Sequence, residues 1–228
     1  MSIFLFNCGQ INDKNNPKIV NQNNTGTGKL ISIDFSDTNY TYLELYAKDT
    51  VTAAGWKIKY LVKDDSTRYN DIYIQWTKEN MTGLFYGGDI LLMRRYFIPT
   101  YSGETNSHIY LEHGCATDCF AILTLSKDNM GEFRDYENIV DFNIKLGQIL
   151  YVTDYSYENE DRNFELALAD LSKQKTHKLT YSNICSAVFK PTCIDTVIFT
   201  KTKVTIKTTL RENIATEKDI KQSREIEL

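Results

Sequence analysis

With 228 residues and a mass of 26.4 kDa, the chain is long enough to bury a sizeable core in one large domain or two small ones. A net charge of −4 offers no concentrated positive field for a phosphate backbone, so nucleic acid is excluded as an expected partner. Fifteen Tyr and 11 Phe against only 3 Pro favour pleated, half-buried surfaces, and no apolar run approaches the roughly 20 residues that a membrane-spanning helix needs.

Residues 1–8 place four large apolar side chains, Ile3 to Phe6, two positions before Cys8. Residues 9–28 then hold six Asn, two Gln, three Gly and no aromatic residue. Such a segment cannot bury enough apolar surface to offset its ordering entropy, and a flexible linker is expected there. An apolar run, a cysteine and a polar leash together resemble the end of a bacterial lipoprotein signal peptide, with an Asn- and Lys-rich composition similar to lipoproteins of Bacteroidota. The resemblance covers residues 1–28 only. It implies lipidation at Cys8, a body held at the membrane without spanning it, and a location in the periplasm or at the cell surface. No basic n-region precedes the apolar run and Asn7 is not a small residue, so the expected natural start lies upstream of Met1. The alternative is a first β-strand at Ile3–Phe6 with Cys8 buried.

From residue 29 onward the pattern is period-2 alternation. Ile31, Ile33 and Phe35 share a face in 29–36, and a turn at Asp37-Thr38-Asn39 leads to a second strand at 40–47. In 56–63, Trp56, Ile58, Tyr60 and Val62 oppose Lys57, Lys59 and Lys63, which reads as a strand with a solvated lysine face. Ile72, Ile74 and Trp76 repeat it, and Gly87-Gly88 predicts a hairpin between Leu84–Tyr86 and Ile90–Met93. Further strands are predicted at 120–126, 139–144, 148–154, 163–171, 175–181, 185–189, 194–200 and 203–210. The fold class is therefore all-β: an antiparallel β-sandwich or one curled meander, with a propeller-like flavour in 148–210 but no such repeat in 30–115. A single β domain spans 29–210. The stretch 211–228, with Ile214, Ile220 and Ile226 spaced too widely for one helical stripe, is predicted to be a charged, solvated tail.

With Cys8 set aside, Cys115, Cys119, Cys185 and Cys193 are an even number, which in an exported protein points to disulfides. Three connectivities are possible; local pairs, Cys115–Cys119 and Cys185–Cys193, are expected. The competing reading is a zinc site for a metal-dependent hydrolase, built from His108, His113, Cys115 and Cys119, although their spacing matches no familiar zinc motif.

No nucleophile elbow, phosphate-binding glycine loop, zincin helix or EF-hand loop is present, so neither a catalytic residue nor a cofactor is expected. His177 reads as a solvated turn residue and the acidic loop 154–161 as a solvated hairpin loop. His113, beside Glu112, is the most suggestive single position, but neighbours on a strand face apart. Tyr40, Tyr42, Tyr46, Tyr73, Tyr86, Tyr96, Tyr101 and Tyr110 crowd the first half and either fill sheet faces or make contact surface. The expected function is that of a non-enzymatic binding module for a protein or glycan, with an immunity-type inhibitor of a secreted toxin as one form of it and a surface glycan- or peptide-binding protein as the alternative. The candidate contacts are Arg94, Arg95, Tyr96, Tyr101, Tyr110 and His113, in a sheet face or loops around 96–119.

Overall fold

The computed structural model of the chain describes residues 28–38, 40–64, 72–87, 95–116, 119–153, 164–185, 187, 190–212 and 218–228. Cys8 with its apolar run, the leash up to residue 27, the expected strand at Ile90–Met93, Arg94 and the acidic loop 154–161 lie outside the described residues.

The regular structure of the described residues is nearly all β, with only short 3-10 turns beside the strands, and the strands form four antiparallel sheets in chain order. The first holds β1 (Leu30–Ser32), β2 (Thr50–Val51), β3 (Lys57–Lys63), β4 (Tyr73–Lys78) and β5 (Met81–Tyr86). They are ordered β1-β3-β4-β5, with β2 also on β3. The second is the meander β6 (Thr100–Glu104), β7 (His108–Ala116), β8 (Cys119–Ser126) and β9 (Phe133–Tyr136). The third repeats that plan with β10 (Ile139–Asn143), β11 (Gln148–Val152), β12 (Glu165–Asp170) and β13 (Lys175–Thr180). The fourth has three strands, β14 (Ile194–Phe199), β15 (Lys203–Arg211) and β16 (Asp219–Glu227).

Alternation explains how the sheets stack, because each middle sheet has two apolar faces. Ile109, Leu111, Leu123 and Leu125 join Trp56, Ile58, Ile74 and Trp76 in one core between the first and second sheets. The opposite parity, Tyr110 and Ile122, meets Ile149 and Ala169 of the third sheet. Leu150, Leu166 and Leu168 in turn face Val204, Ile206 and Leu210 of the fourth. The stack ends on the polar side of β15, where Lys203, Thr205, Lys207 and Thr209 alternate with those buried residues. The meander that the sequence shows in 148–210 therefore recurs in 100–136.

Several local expectations are corrected. The strand at 29–36 is cut short because the Asp34 carboxylate accepts from both the backbone N–H and the hydroxyl of Ser36, at 2.9 and 2.7 Å, and bends the chain. Residues 40–47 are a 3-10 turn, Thr41–Leu43, and not a strand. Tyr40, Leu43 and Ala47 are its buried side chains, a helical spacing hidden among the tyrosines. β4 and β5 form a hairpin that the sequence did not announce, turning at Glu79-Asn80 between the paired Lys78 and Met81, with Glu79 at φ 53°; the hairpin expected at Gly87-Gly88 runs outside the described residues. Lys63 lies on the same face as Lys57 and Lys59 but is not solvated; it is buried there, with its ammonium 5.7 Å from the centre of the Tyr73 ring. His177 lies on β13 opposite Leu168 and not in the turn before it. The strand expected at 185–189 lies mostly outside the described residues; before it Ile184 makes an isolated bridge to Arg211, and after it Lys190–Cys193 is a 3-10 turn. The predicted tail is β16, paired along its whole length with β15. Ile220 and Ile226 are separated by an even number of residues, which is the strand signal; only a helical yardstick made them look scattered.

Candidate functional site

The segment from Arg95 to Glu104 brings together more of the expected contact residues than any other part of the described chain. Ile98, fully buried in the first core, anchors a 3-10 turn, Arg95–Phe97. Next to it the Pro99 carbonyl accepts a 2.6 Å hydrogen bond from the buried Tyr60 hydroxyl. Burial first, and the Asp49 charge second, push that phenol far above its ordinary value, so it stays a donor. On the other side, Gly114 of β7 lets the turn approach closely: a Cβ there would lie 3.1 Å from the Tyr96 carbonyl oxygen.

The turn so held displays an aromatic and cationic surface. The Arg95 guanidinium lies 5.0 Å from the centre of the Tyr96 ring and 5.8 Å from that of Tyr46. Its Nη2 donates to the Tyr96 hydroxyl at 3.0 Å, and the two rings meet edge to face at 6.2 Å. Tyr96 is 63% exposed, and the 40–47 segment that carries Tyr46 also presents Tyr42 and Leu45, the latter 86% exposed. An open groove of about 580 Å³ runs beside that segment, with Ile33, Phe35, Leu45 and Tyr60 as apolar lining and Glu44, Lys48 and Asp49 as charges. Tyrosine, arginine and an exposed aliphatic side chain, already ordered against one another, are what a contact surface needs.

The other expected residues divide differently. Tyr110 is buried between the second and third sheets, and Tyr101 packs partly buried on the first core. Tyr40 and Tyr73 are likewise buried. Tyr110 is therefore a core residue and not a contact ring. Cys115–Cys119 and Cys185–Cys193 are disulfides, with Cα separations of 5.1 and 5.8 Å, the local pairs that sequence favoured. The zinc reading fails on geometry. Both cysteines of the proposed set are tied to each other, and His108 and His113 face opposite sides of β7. Among the described residues no group of three or more His, Cys, Asp or Glu side chains is placed to hold a metal ion.

His113 meets two residues that sequence reasoning missed. Its Nε2 lies 2.9 Å from Asp135 Oδ1 and its Nδ1 2.8 Å from the Gly114 carbonyl oxygen. Burial opposes charge on the ring, but the Asp135 hydrogen bond and charge, the Gly114 carbonyl and the Glu137 charge together raise its pKa. The carboxyl of Glu137 is pushed up, first by burial and then by Asp135, while His113 pulls it down. Both imidazole nitrogens face acceptors, an arrangement that the imidazolium satisfies and a neutral ring does not. The contact ties β7 to β9 across the strand between them. His108, hydrogen-bonded to Ser107 at 2.9 Å, has its pKa lowered, chiefly by burial.

The two disulfides fit an oxidising, extracytoplasmic compartment. Among the described residues no helix is long and apolar enough to cross a membrane. No protein-family model matches the chain, and comparison with curated proteins and with solved structures returns no match.

Proposed function

We propose that this chain is an exported binding protein, held at the membrane through Cys8, that captures a partner protein without chemistry of its own. The observation that carries the reading is Arg95 stacked on Tyr46 and Tyr96 at the surface. Rigid aromatic and arginine side chains supply much contact area at small entropic cost, and they dominate binding hot spots. The exposed Leu45 beside them favours a protein over a sugar, because an aliphatic side chain offers a glycan neither stacking nor hydrogen bonds. An immunity-type role against a secreted toxin is the most specific form of this proposal, and the −4 charge suits a basic partner.

Photo-crosslinking from Tyr42, on the same surface segment, tests it in the cells that make the protein. A discrete protein adduct that vanishes on Arg95→Ala and Tyr96→Ala supports the reading. A glycan-array signal abolished by those same substitutions would replace it with glycan capture.

A further inference from the structure

The second and third sheets have four strands each, while the fourth has three and ends at β16. At nine residues β16 is the longest edge strand of the described structure, and its register on β15 runs without a bulge. It contains no proline, and its free side has no partner strand among the described residues. Monomeric proteins usually blunt such an edge by bulges, prolines, short length or charged side chains, and of these β16 carries only the charges, five in its nine residues. Here most of the strand is exposed.

We infer that β16 is the interface of a two-fold homodimer, in which two copies pair antiparallel about Ser223 and join their fourth sheets edge to edge. The support is the sequence of the strand itself. An isologous contact must be complementary to its own reverse, and a two-fold axis at Ser223 sets Lys221 opposite Glu225, Gln222 opposite Arg224 and Ile220 opposite Ile226. Lys221 is exposed, lies across from Thr209 and makes no ion pair within the described chain. The dimer gives it one. Glu225 already holds Lys203 at 2.8 Å and would bridge two ammonium groups. The one adverse pair is Asp219 against Glu227, at the ends. Each of these carboxylates stands beside a cation of β15: Arg211 Nε is 3.4 Å from Asp219, and Lys203 is in register with Glu227. On the inner side the strand is already fixed. Gln222 donates to Asn183, and Arg224 donates to the Thr180 carbonyl at 3.4 Å and lies over the Tyr181 ring. Little ordering remains to be done when a second strand arrives.

The proposal concerns a different surface from that of Arg95 and Tyr96, and the two stand or fall separately. Its test is sedimentation velocity on the full chain, from low micromolar to high micromolar concentration, with Lys221→Glu and Glu225→Lys. Wild type is expected to dimerise with rising concentration. Each variant alone places like charges opposite each other twice, and should weaken the dimer by roughly tenfold or more. Mixing the two variants in equal amounts should restore association. Each introduced carboxylate then faces an introduced ammonium, and each native partner faces its native counterpart. A wild type that stays monomeric throughout, a dimer that both variants leave unchanged, or variants that remain monomeric on mixing would overturn the inference.

Discussion

His113 on β7 and Asp135 on β9 meet over the top of the strand between them, with Nε2 and Oδ1 2.9 Å apart. They can do so because the β8 residue in register with His113 is Ala121, whose methyl group leaves room for the ring to lean across. The imidazole side chain is only 7% exposed, and its second nitrogen faces the Gly114 carbonyl. A neutral ring could donate to one acceptor and would turn a lone pair on the other; the imidazolium satisfies both.

The protonation sign follows from that arrangement. The folded pKa of His113 is raised above its ordinary 6.5, so the native state binds the proton more tightly than the unfolded chain does. The stability it contributes is fully present below pH 6.5 and is lost as the pH climbs through the raised value. Urea unfolding of wild type and His113→Gln at intervals from about pH 6 to 9 should show a gap of roughly 1–3 kcal/mol at the acid end that closes as the pH rises. The comparison belongs above about pH 6, because without the imidazolium Glu137, whose carboxyl is already pushed up, takes its proton more readily. A gap that stays constant with pH would mean the ring is neutral in the folded protein.

How much of this was legible in sequence depends on distance along the chain. The face of Trp56, Ile58, Tyr60 and Val62 can be read directly, since alternation is a local property. So can the Cys185–Cys193 pair, which closes a short loop. Tyr40, Leu43 and Ala47 carried a helical signal that was lost because β-favouring tyrosines surround it. The His113–Asp135 contact had no signal, since it joins residues 22 positions apart through the accident of a small side chain on the intervening strand. Arg95 and Tyr96 could be singled out by type, but their partner Tyr46 is supplied by another sheet's connecting segment, and only the fold shows that.

Lys127 and Glu104 form a buried ion pair at 2.5 Å, with side chains 4% and 11% exposed. Glu104 also accepts from Ala54 N and Thr52 Oγ1 at 2.7 and 2.9 Å, so one carboxylate ties the turn after β2 to the second sheet. Lys127→Met leaves that carboxylate without its cation and should cost about 3–5 kcal/mol in urea unfolding at neutral pH. Burial alone would raise the Glu104 pKa, but Lys127 and the two donors bring it below its ordinary 4.5. Its contribution is therefore present above pH 4.5 and lost as the pH falls through the lowered value. The variant's acid-unfolding transition should accordingly begin at higher pH than that of wild type.

Gly83 on β5 pairs directly with Trp76 on β4, and the indole lies flat over the glycine. A Cβ at residue 83 would stand 2.7 Å from Trp76 Cη2 and closer still to two other ring carbons. The ring cannot step aside easily, because it is fully buried and its Nε1 donates to the Ser126 carbonyl at 2.9 Å. Gly83→Ala should cost on the order of 1–3 kcal/mol. The same substitution in a Trp76→Phe background should cost measurably less, since the smaller ring vacates the clash. Equal costs in the two backgrounds would show that the two residues are not coupled.

The five cysteines give a count that decides compartment chemistry and a sequence of events on reduction. Four are in disulfides, so an unlipidated chain unfolded in denaturant should offer a thiol reagent only Cys8, and five thiols after full reduction. Cys185 and Cys193 sit in the buried core between the third and fourth sheets, whereas Cys115 and Cys119 are half-buried at the turn end of the β7–β8 hairpin. Attack by an external thiolate requires access to a sulfur, so graded reduction of the native protein should open Cys115–Cys119 first. Alkylation and mass spectrometry at each step read the order. Loop-closure entropy assigns each bridge about 2 kcal/mol, the longer Cys185–Cys193 loop slightly more, so the second reduction should bring the larger fall in unfolding midpoint. Simultaneous opening of both bridges would mean that global unfolding, and not local access, controls the reaction.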